Sequence, residues 1–384
     1  MTIKTKHCAF ECVALLLQGG GALGAYQAGV YQALSEANLE PDWVAGISIG
    51  AINAAIIAGN APAERVAKLR EFWESITSDE LEYTPSVLKN FMTHNDDRHQ
   101  ALNFINAVRT ITNGVPGFFT PRFISPWFEP AGSVPATSYC DFSPLKATLE
   151  KLIDFDRLNK DKMRFSIGAV NVTSGNFTDF DNKKETITAE HIMASGALPP
   201  GFQAIEIDGE SYWDGGLISN TPLQWVIENE AYLDTLVFQV DLWSANGEFP
   251  KNMADVLTRQ KDIQFSSRTR ANTDRFKEQH ELLHNIDSLL EKLPDNMKDL
   301  PEVKMLSSKC SKKVFNIVHL IYHNKPYEGY SKDFEFSRLS MEAHWLSGYT
   351  DTLESLQHPD VLKRPSNLEG IAVFDFNKGK RIKS

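Results

Sequence analysis

The stretch CVALLLQGGGALG, residues 12–24, decides the fold that this sequence predicts. Its first six residues are apolar without a break, a run too short for a core helix and typical of a strand buried on both faces. Three glycines, Gly19, Gly20 and Gly21, come after it, and apolar residues then recur at helical spacing over residues 22–37. We therefore predict a buried strand, a glycine-rich turn and a helix, the opening unit of an α/β protein.

The pattern continues along the next two hundred residues. Short apolar runs predict further buried strands, and segments with small or periodic apolar residues predict helices between them. Strands that alternate with helices in this way indicate an α/β fold with a mostly parallel sheet. The predicted strands lie at residues 43–47, 165–172 and 236–242, and the predicted helices at 51–58 and 65–76.

From about residue 246 the character of the chain changes. Residues 253–293 are charged and helical in period, residues 314–322 form another strand-like apolar run, and residues 338–356 are helical in period up to Pro359. A proline so close to a helix end cannot continue it. We therefore predict that residues 246–384 form a C-terminal extension of helical and mixed structure, to which the sequence assigns no function.

Residues 113–144 form an apolar insertion rich in proline, glycine and aromatic residues. Leaving so many aromatic side chains in water is unfavourable, at roughly 25 cal/mol per Å² of apolar area. The segment is therefore either a packed loop over the sheet edge or a lid that faces a substrate, and both interpretations stay open. The aromatic residues of this segment include Phe118, Phe119, Phe123, Trp127 and Phe128.

Composition and charge exclude several classes of protein. Of the 384 residues, 42% are hydrophobic and 23% charged, which excludes a disordered chain and a disulfide-dense mini-protein. The net charge is −11, and because phosphate recognition needs clustered Lys and Arg, we expect no nucleic acid partner. The four cysteines form no CxxC pair, which favours free thiols in a reducing compartment.

Neither a membrane span nor a secretory leader is predicted. No run of uncharged apolar residues is long enough to cross a bilayer. Lys4 and Lys6 precede an apolar stretch as in a signal peptide, but Glu11 interrupts that stretch and no A-x-A-type cleavage site follows. We therefore expect a cytoplasmic protein that can associate peripherally with membranes.

The pentapeptide Gly46-Ile47-Ser48-Ile49-Gly50 is a G-x-S-x-G motif between a predicted strand and a predicted helix. That context is the one a nucleophile elbow requires, because a sharp turn there exposes the serine hydroxyl. The N-terminus of the following helix directs backbone N–H groups and a positive dipole end toward the same place. Ser48 is therefore a candidate nucleophile, with a tight structural turn as the alternative.

The glycine-rich turn has two functional interpretations. Gly19, Gly21 and Gly24 fit the G-x-G-x-x-G spacing of a dinucleotide site, but the acidic residues near the required distance, Glu40 and Asp42, precede the second strand instead of ending it. The other interpretation is an oxyanion hole of side-chain-free N–H groups. In a parallel sheet this turn and the serine motif converge at the same strand ends, which favours the oxyanion hole over a dinucleotide site or a merely structural turn.

Asp214-Gly215-Gly216 follows a predicted hairpin over residues 204–213. The tripeptide is common in turns, but a serine nucleophile needs a base. No histidine, His191 included, lies in a strand-end loop after the serine where such a base is usual. Asp214 can act as the direct base if it lies within roughly 2.6–3.2 Å of the serine hydroxyl.

The three motifs, in this order, resemble the patatin-like phospholipases over about residues 10–245. The resemblance implies a three-layer α/β/α sandwich and hydrolysis of lipid acyl esters by a Ser–Asp dyad without histidine, with Ser48 as nucleophile and Asp214 as base. The sequence itself indicates neither a metal nor an organic cofactor. The resemblance assigns the oxyanion loop to Gly19, Gly20 and Gly21, and supporting roles to Gly24, Gly46, Gly50, Gly215 and Gly216.

The resemblance has one departure and leaves alternatives. Many members carry Arg or Lys in the glycine-rich loop where this chain has Leu23, so the head-group preference stays open. Residues 332–359 look like a C-terminal extension of some bacterial members.

The expected partners are a lipid or acyl-ester substrate and a transient membrane surface, with no expectation of oligomeric state. An esterase, thioesterase or polyester depolymerase is the alternative, and a nucleotide-binding module a more distant one.

Overall fold

A computed structural model of the protein describes five stretches of the chain. Of residues 267–273, inside a long helix, only the backbone is described. Within these ranges no helix combines the length and the apolar character needed to cross a bilayer. The ranges are 8–78, 95–222, 233–310, 313–365 and 370–376.

Most strands join one large sheet, and β3 and β4 form a separate small pair. The strand order is β11-β10-β9-β1-β2-β5-β8-β7, with β6 also paired to β5. The pairings from β11 to β5 are parallel, whereas β6, β7 and β8 are antiparallel to their neighbours. The strands are β1 (Cys12–Leu17), β2 (Trp43–Gly46), β3 (Thr120–Pro121), β4 (Cys140–Asp141), β5 (Arg164–Asn171), β6 (Phe177–Asp181), β7 (Ile205–Ile207), β8 (Glu210–Asp214), β9 (Thr235–Asp241), β10 (Phe315–Ile321) and β11 (Ile371–Phe374).

Helices alternate with the parallel strands and then dominate the second half of the chain. Each helix that the sequence predicts is present, and its ends lie at the predicted residues or a few residues away. The helices are α1 (Ala25–Glu36), α2 (Ile49–Ala58), α3 (Pro62–Ile76), α4 (Asp96–Asn113), α5 (Pro144–Leu152), α6 (Phe155–Lys160), α7 (Ala189–Gly196), α8 (Met253–Glu291), α9 (Asp295–Lys298), α10 (Pro301–Ser307) and α11 (Arg338–Leu356).

The central strand β1 is buried on both faces, as its unbroken apolar run predicts. One set of alternate residues lies in the larger apolar core together with α1, α2 and α3, and the other set lies in a smaller core against which Phe276 of α8 packs. The α/β/α sandwich with a mostly parallel sheet is therefore confirmed. The two sets are Val13, Leu15 and Leu17, and Cys12, Ala14 and Leu16.

The C-terminal part of the chain builds directly onto this sheet. Strands β10 and β11 extend it beyond β9, and α11 crosses α1 with the two backbones in contact. A Cβ atom at Gly29 would lie 1.9 Å from the carbonyl oxygen of Trp345, and one at Gly348 would lie 1.9 Å from that of Tyr26. The division at residues 245 and 246 stays a prediction, but the strands on its two sides hydrogen bond to each other.

The aromatic residues of the insertion divide into two groups. Phe118 and Phe119 are buried, each 7% exposed, and the ring of Phe118 packs against other aromatic rings of the core. The lid interpretation is therefore wrong for these two residues, which are packed in the core as the loop interpretation predicts. They lie in a tight turn in which the Phe119 N–H donates to the Val115 carbonyl oxygen. Phe123, Trp127 and Phe128 are more than four-fifths exposed. The ring partners of Phe118 are Phe72, Phe119, Phe142 and Phe336.

We expect Phe118→Ala to lower the free energy of unfolding by about 3–5 kcal/mol, because truncating a buried Phe leaves a cavity. Phe128→Ala, in the same insertion but exposed, should change it by less than about 0.5 kcal/mol. Urea denaturation of both variants measures the difference. Equal, small effects would mean that Phe118 is not part of the core.

Candidate active site

Two of the sequence motifs meet because β1 and β2 are parallel neighbours. Leu17, the last residue of β1, pairs with Gly46, the last residue of β2. The glycine-rich turn and the serine motif therefore leave the sheet side by side. A Cβ atom at Gly19 would lie 3.0 Å from the Cβ of Ser48, so the turn borders the serine directly.

Ser48 has the backbone conformation of a sharp strand-to-helix turn. It precedes the first residue of α2 with φ 56° and ψ −125°, a region in which a non-glycine residue is strained by about 1–3 kcal/mol. The flanking glycines permit the turn: a Cβ at Gly46 would lie 2.3 Å from the Gly50 carbonyl, and one at Gly50 2.2 Å from the Leu17 carbonyl oxygen. Ser48 remains partly accessible to solvent.

Ser195, a residue that the sequence analysis did not single out as functional, holds this strained turn. The backbone N–H of Ser48 donates to the Ser195 hydroxyl oxygen at 3.0 Å, and that hydroxyl donates to the carbonyl oxygen of Gly168 at 2.7 Å. Ser195 lies on α7 and is fully buried. It therefore ties the serine turn to β5.

Asp214 reaches the serine because β5 changes partner along its length. β5 pairs with β2 as far as Ile167 and with β8 from Ala169 onward, so the end of β8 comes to the end of β2. The Asp214 carboxylate accepts hydrogen bonds from the Ser48 side chain and, at 2.7 Å, from the Gly216 N–H. Among the histidines in the described ranges, none hydrogen bonds to either residue.

The electrostatic environment of Asp214 is unusual for a carboxyl group. Asp214 is 2% exposed. Burial raises the pKa of its carboxyl to about 7, whereas the hydrogen bonds from Ser48 and Gly216 lower this pKa. A carboxyl with a pKa near neutrality is a much stronger base when ionised than an exposed Asp. Asp214 is thus equipped to accept a proton from the serine.

The glycine-rich turn is held by side chains far away in the sequence. The Gly19 N–H donates to Asn220 Oδ1 at 3.2 Å, and Asn220 Nδ2 donates to the Gly19 carbonyl oxygen at 3.0 Å. Trp243 Nε1 donates to that same oxygen at 2.8 Å. Gln18 accepts from the backbone N–H groups of Leu242 and Trp243. Gly19 is therefore clamped on both its N–H and its C=O.

The next residues of the turn present their N–H groups differently. Within the part of the chain that the structure describes, the N–H groups of Gly20, Gly21 and Ile49 donate to no acceptor. Gly20 and Gly21 are half-buried and follow Gly19, which borders the serine, and Ile49 directly follows Ser48. Because the Gly19 N–H is already engaged by Asn220, these three residues, and not Gly19, are the candidates for oxyanion-hole donors.

The C-terminal extension also reaches this turn, through a contact that no sequence motif indicated. The Ala22 N–H donates to the carbonyl oxygen of Asp333 at 2.8 Å, and Lys261 Nζ lies 2.5 Å from Asp333 Oδ1. Residue 333 belongs to the loop after β10, whose C-terminal end lies at the same sheet edge as the serine. The extension thus contributes to the position of the turn.

The remaining glycines of the motifs lie at close backbone or side-chain contacts. A Cβ at Gly24 would lie 2.6 Å from Ile49 Cγ1, one at Gly215 would lie 2.6 Å from the Gly168 carbonyl oxygen, and one at Gly216 would lie 3.0 Å from Asn220 Oδ1. The structure therefore brings the three motifs together at one sheet edge.

Sequence reasoning missed Ser195, Asn220 and Trp243. Of these, Asn220 follows Asp214 closely enough to be noticed, but its polar side chain carries no distinctive spacing.

Comparisons with known proteins place the chain in a family. The family model described as patatin-like phospholipase matches residues 15–227, more than half of the chain, and a second model, described as patatin phospholipase, matches residues 263–368. A triacylglycerol lipase of Arabidopsis thaliana, SDP1L, is 29% identical over 113 residues, which are 29% of this chain and 14% of that protein. The chain therefore corresponds to only a small part of that relative.

Two solved structures show weak overall similarity. VipD from Legionella pneumophila has 14% identity and a TM-score of 0.40, with 98% of this chain and 75% of VipD covered. The complex of ExoU with SpcU from Pseudomonas aeruginosa gives 17% identity and a TM-score of 0.28, with 78% of this chain and 60% of the matched chain covered. At these TM-scores neither structure carries an argument about this protein.

The raised pKa of Asp214 predicts a pH-dependent effect of Asp214→Asn on stability. The folded-state pKa of about 7 lies above the unfolded value near 3.9, so the stability that the neutral carboxyl provides is fully present below about pH 4 and is lost as the pH rises through 7. The variant carries no ionisable group there. The free energy of unfolding of Asp214→Asn relative to the wild type should therefore rise from pH 5 to pH 8, on the order of 3 kcal/mol. Melting temperatures of both proteins at the two pH values measure this change. A difference that does not change with pH would contradict the raised pKa.

Proposed function

Since this chain belongs to the patatin-like phospholipase family, we propose that it is a serine hydrolase that cleaves acyl esters of lipids, with Ser48 as nucleophile and Asp214 as general base. The observation that carries the proposal is the hydrogen bond from the Ser48 side chain to a buried carboxyl whose pKa is raised to about 7. The family is described as a phospholipase and one relative as a triacylglycerol lipase, and both descriptions support lipids as the substrate class.

In the first half of the reaction, Ser48 Oγ attacks the carbonyl carbon of the ester and its proton passes to Asp214. A base with a pKa near the working pH is both substantially ionised and strong enough to take that proton. The negative charge that develops on the carbonyl oxygen is stabilised by the N–H groups of Gly20, Gly21 and Ile49. As the intermediate collapses, the C–O bond breaks and Asp214 returns the proton to the departing alcohol.

In the second half, a water molecule replaces the alcohol. Asp214 accepts one proton from this water as its oxygen attacks the acyl-Ser48 carbonyl, and the same N–H groups stabilise the second oxyanion. Collapse of this intermediate releases the carboxylic acid and returns the proton to Ser48 Oγ. The N-terminal end of α2, next to Ser48, favours negative charge at this position in both halves.

The arrangement of the acidic residues supports hydrolysis over nucleotide binding. A dinucleotide site needs a carboxylate at the C-terminal end of the second strand. Glu40 and Asp42 instead precede β2: Glu40 accepts from Tyr31, Ser35 and Arg65, and Asp42 accepts from the Val13 N–H. Both carboxylates already serve structural hydrogen bonds at the opposite edge of the sheet.

We expect Ser48→Ala to abolish ester hydrolysis and covalent labelling by a fluorophosphonate, and Asp214→Asn to reduce hydrolysis by about a thousand-fold or more, because an amide cannot accept the serine proton. Ser219→Ala, which removes a nearby hydroxyl that donates to the Thr221 carbonyl oxygen, is the matched control and should retain activity. Mass spectrometry of the labelled protein should locate the adduct on Ser48.

The same assay separates the proposal from its alternatives. If His191→Ala, or alanine at another histidine, removes as much activity as Ser48→Ala, a histidine is the base and the dyad is wrong. A panel of a diacyl phospholipid, a triacylglycerol, a long-chain thioester and a short-chain p-nitrophenyl ester tests the substrate class. Turnover confined to the short-chain ester or to the thioester would favour the esterase or thioesterase alternative.

A further inference from the structure

Gly20 and Gly21, two of the candidate oxyanion-hole donors, lie between two anchored residues. On one side Gly19 is held through both its N–H and its C=O by the side chains described above. On the other side the Ala22 N–H donates to the carbonyl oxygen of Asp333 at 2.8 Å. Because glycine has more backbone freedom than any other residue, the directions of the two N–H groups depend on both anchors.

The second anchor comes from the C-terminal extension and fits the turn closely. Asp333 lies in the loop of residues 322–337, between β10 and α11. Its carbonyl oxygen packs against Gly21, where φ is 55° and a Cβ atom would lie only 2.1 Å from that oxygen. A displacement of this loop would therefore change the conformation of the turn at the position of a candidate donor.

Two consecutive residues of α8 form ion pairs crosswise with two consecutive residues of this loop. Lys261 Nζ lies 2.5 Å from Asp333 Oδ1, and Lys332 Nζ lies 2.5 Å from Asp262 Oδ1. Lys261 Nζ also donates to the carbonyl oxygen of Tyr330 at 3.3 Å. We refer to these two ion pairs as the crossed pairs. The opposite orientation of the loop along α8 would bring like charges together, so the crossed pairs specify one arrangement.

One of the crossed pairs is buried. The side chains of Lys332 and Asp262 are 1% and 7% exposed. Asn324 completes their hydrogen bonding, since its Oδ1 accepts from Lys332 Nζ at 2.6 Å and its Nδ2 donates to Asp262 Oδ2 at 3.2 Å. A buried ion pair adds little net stability because the loss of hydration offsets the attraction, and the arrangement that it fixes is its best-attested use.

The crossed pairs also contact the first anchor, through Trp243. Lys332 Nζ lies 4.8 Å and Lys261 Nζ 5.9 Å from the centre of the Trp243 ring. The ring of Phe265, one turn further along α8, packs on the same ring with 5.0 Å between centroids. Trp243 Nε1 donates to the carbonyl oxygen of Gly19. Both anchors of the turn are therefore linked to the same pair of lysines.

We propose that the crossed pairs position the glycine-rich turn for catalysis, so that the C-terminal extension supplies part of the candidate active site. This rests on the proposed function, because the directions of the N–H groups matter only if an oxyanion forms beside Ser48. Lys261 and Lys332 are positioning residues, which act through the Asp333 carbonyl and the Trp243 ring. Each ammonium group already has a carboxylate partner, which favours this role over binding of an anionic head group.

The test compares three variants in the hydrolysis of a soluble short-chain ester. Lys261→Met breaks the ion pair with Asp333, and Lys261→Arg keeps a cation there. The matched control is Arg65→Met. Arg65 lies 2.6 Å from Glu40 at the opposite edge of the sheet and, like Lys261, also donates to a backbone carbonyl oxygen. Thermal melts establish that each variant is folded.

We expect Lys261→Met to lower kcat about ten-fold or more with KM unchanged, because a misplaced oxyanion donor weakens binding of the transition state and not of the substrate. Lys261→Arg should restore most of kcat, and Arg65→Met should lower the melting temperature without lowering kcat. An unchanged kcat in folded Lys261→Met would overturn the proposal. A raised KM with unchanged kcat would assign the lysine to substrate binding and would overturn it as well.

A second variant separates positioning from support of the fold. Lys332→Met combined with Asp262→Leu replaces the buried pair by apolar side chains, a change that is often neutral for stability or increases it. We expect this protein to melt no lower than the wild type and to have a kcat about ten-fold or more lower per folded molecule. A wild-type kcat in this folded variant would contradict the proposal.

Hydrogen–deuterium exchange gives a readout that needs no activity. The Ala22 N–H is protected while it donates to Asp333, so the peptide of residues 18–24 should exchange faster in Lys261→Met and at the wild-type rate in Arg65→Met. If exchange accelerates but no ester is hydrolysed, the crossed pairs still position the turn and the proposed function fails. If hydrolysis depends on Ser48 but neither exchange nor kcat responds to Lys261→Met, the positioning proposal alone is wrong.

Discussion

The hydrogen bond between the Ser48 side chain and the buried Asp214 carboxyl joins two parts of the chain that are 166 positions apart. It requires β5 to pair with β2 along one part of its length and with β8 along the next, so that an antiparallel strand ends beside a parallel one. Burial at that junction is what raises the pKa of Asp214 to about 7. The topology of the sheet thus sets the basicity of the candidate base.

The strained conformation of Ser48 depends on its surroundings in the same way. A positive φ at a serine persists only where neighbouring groups hold it. Ser195 fixes its N–H, and the close approach of Gly46 and Gly50 leaves no room for another turn. On the opposite side, Asn220 clamps Gly19 and so leaves the next two N–H groups unengaged by the described protein atoms.

The sequence predicts the elements whose signals are local. The apolar run of β1, the helical periods of α1, α3 and α8, and the order of the three motifs all lie within short stretches, and the predicted convergence of the turn and the serine motif follows from parallel pairing alone. Ser195, Asn220 and Asp333 contact the site from distant positions. No local pattern marks such long-range contacts.

Burial in the insertion and along α4 was unpredictable for a different reason. Composition does not distinguish Phe118, which lies in the core, from Phe128, which lies in water. The sequence patterns predict no helix or strand over residues 95–113. A surface helix normally buries its apolar stripe, so a helix predicted there would have had that stripe facing the core. The structure turns that stripe outward because the partner surface, with Tyr327 and Glu335, is itself polar and aromatic.

The most direct test of the central claim, that Asp214 activates Ser48 without a histidine, is the rate of Ser48 labelling by a fluorophosphonate as a function of pH. We expect a rate that rises with pH to a plateau with a midpoint near 7, the pKa of Asp214, and a slow, pH-independent rate in Asp214→Asn. A midpoint that survives in Asp214→Asn, or one that disappears when a histidine is replaced, would contradict it.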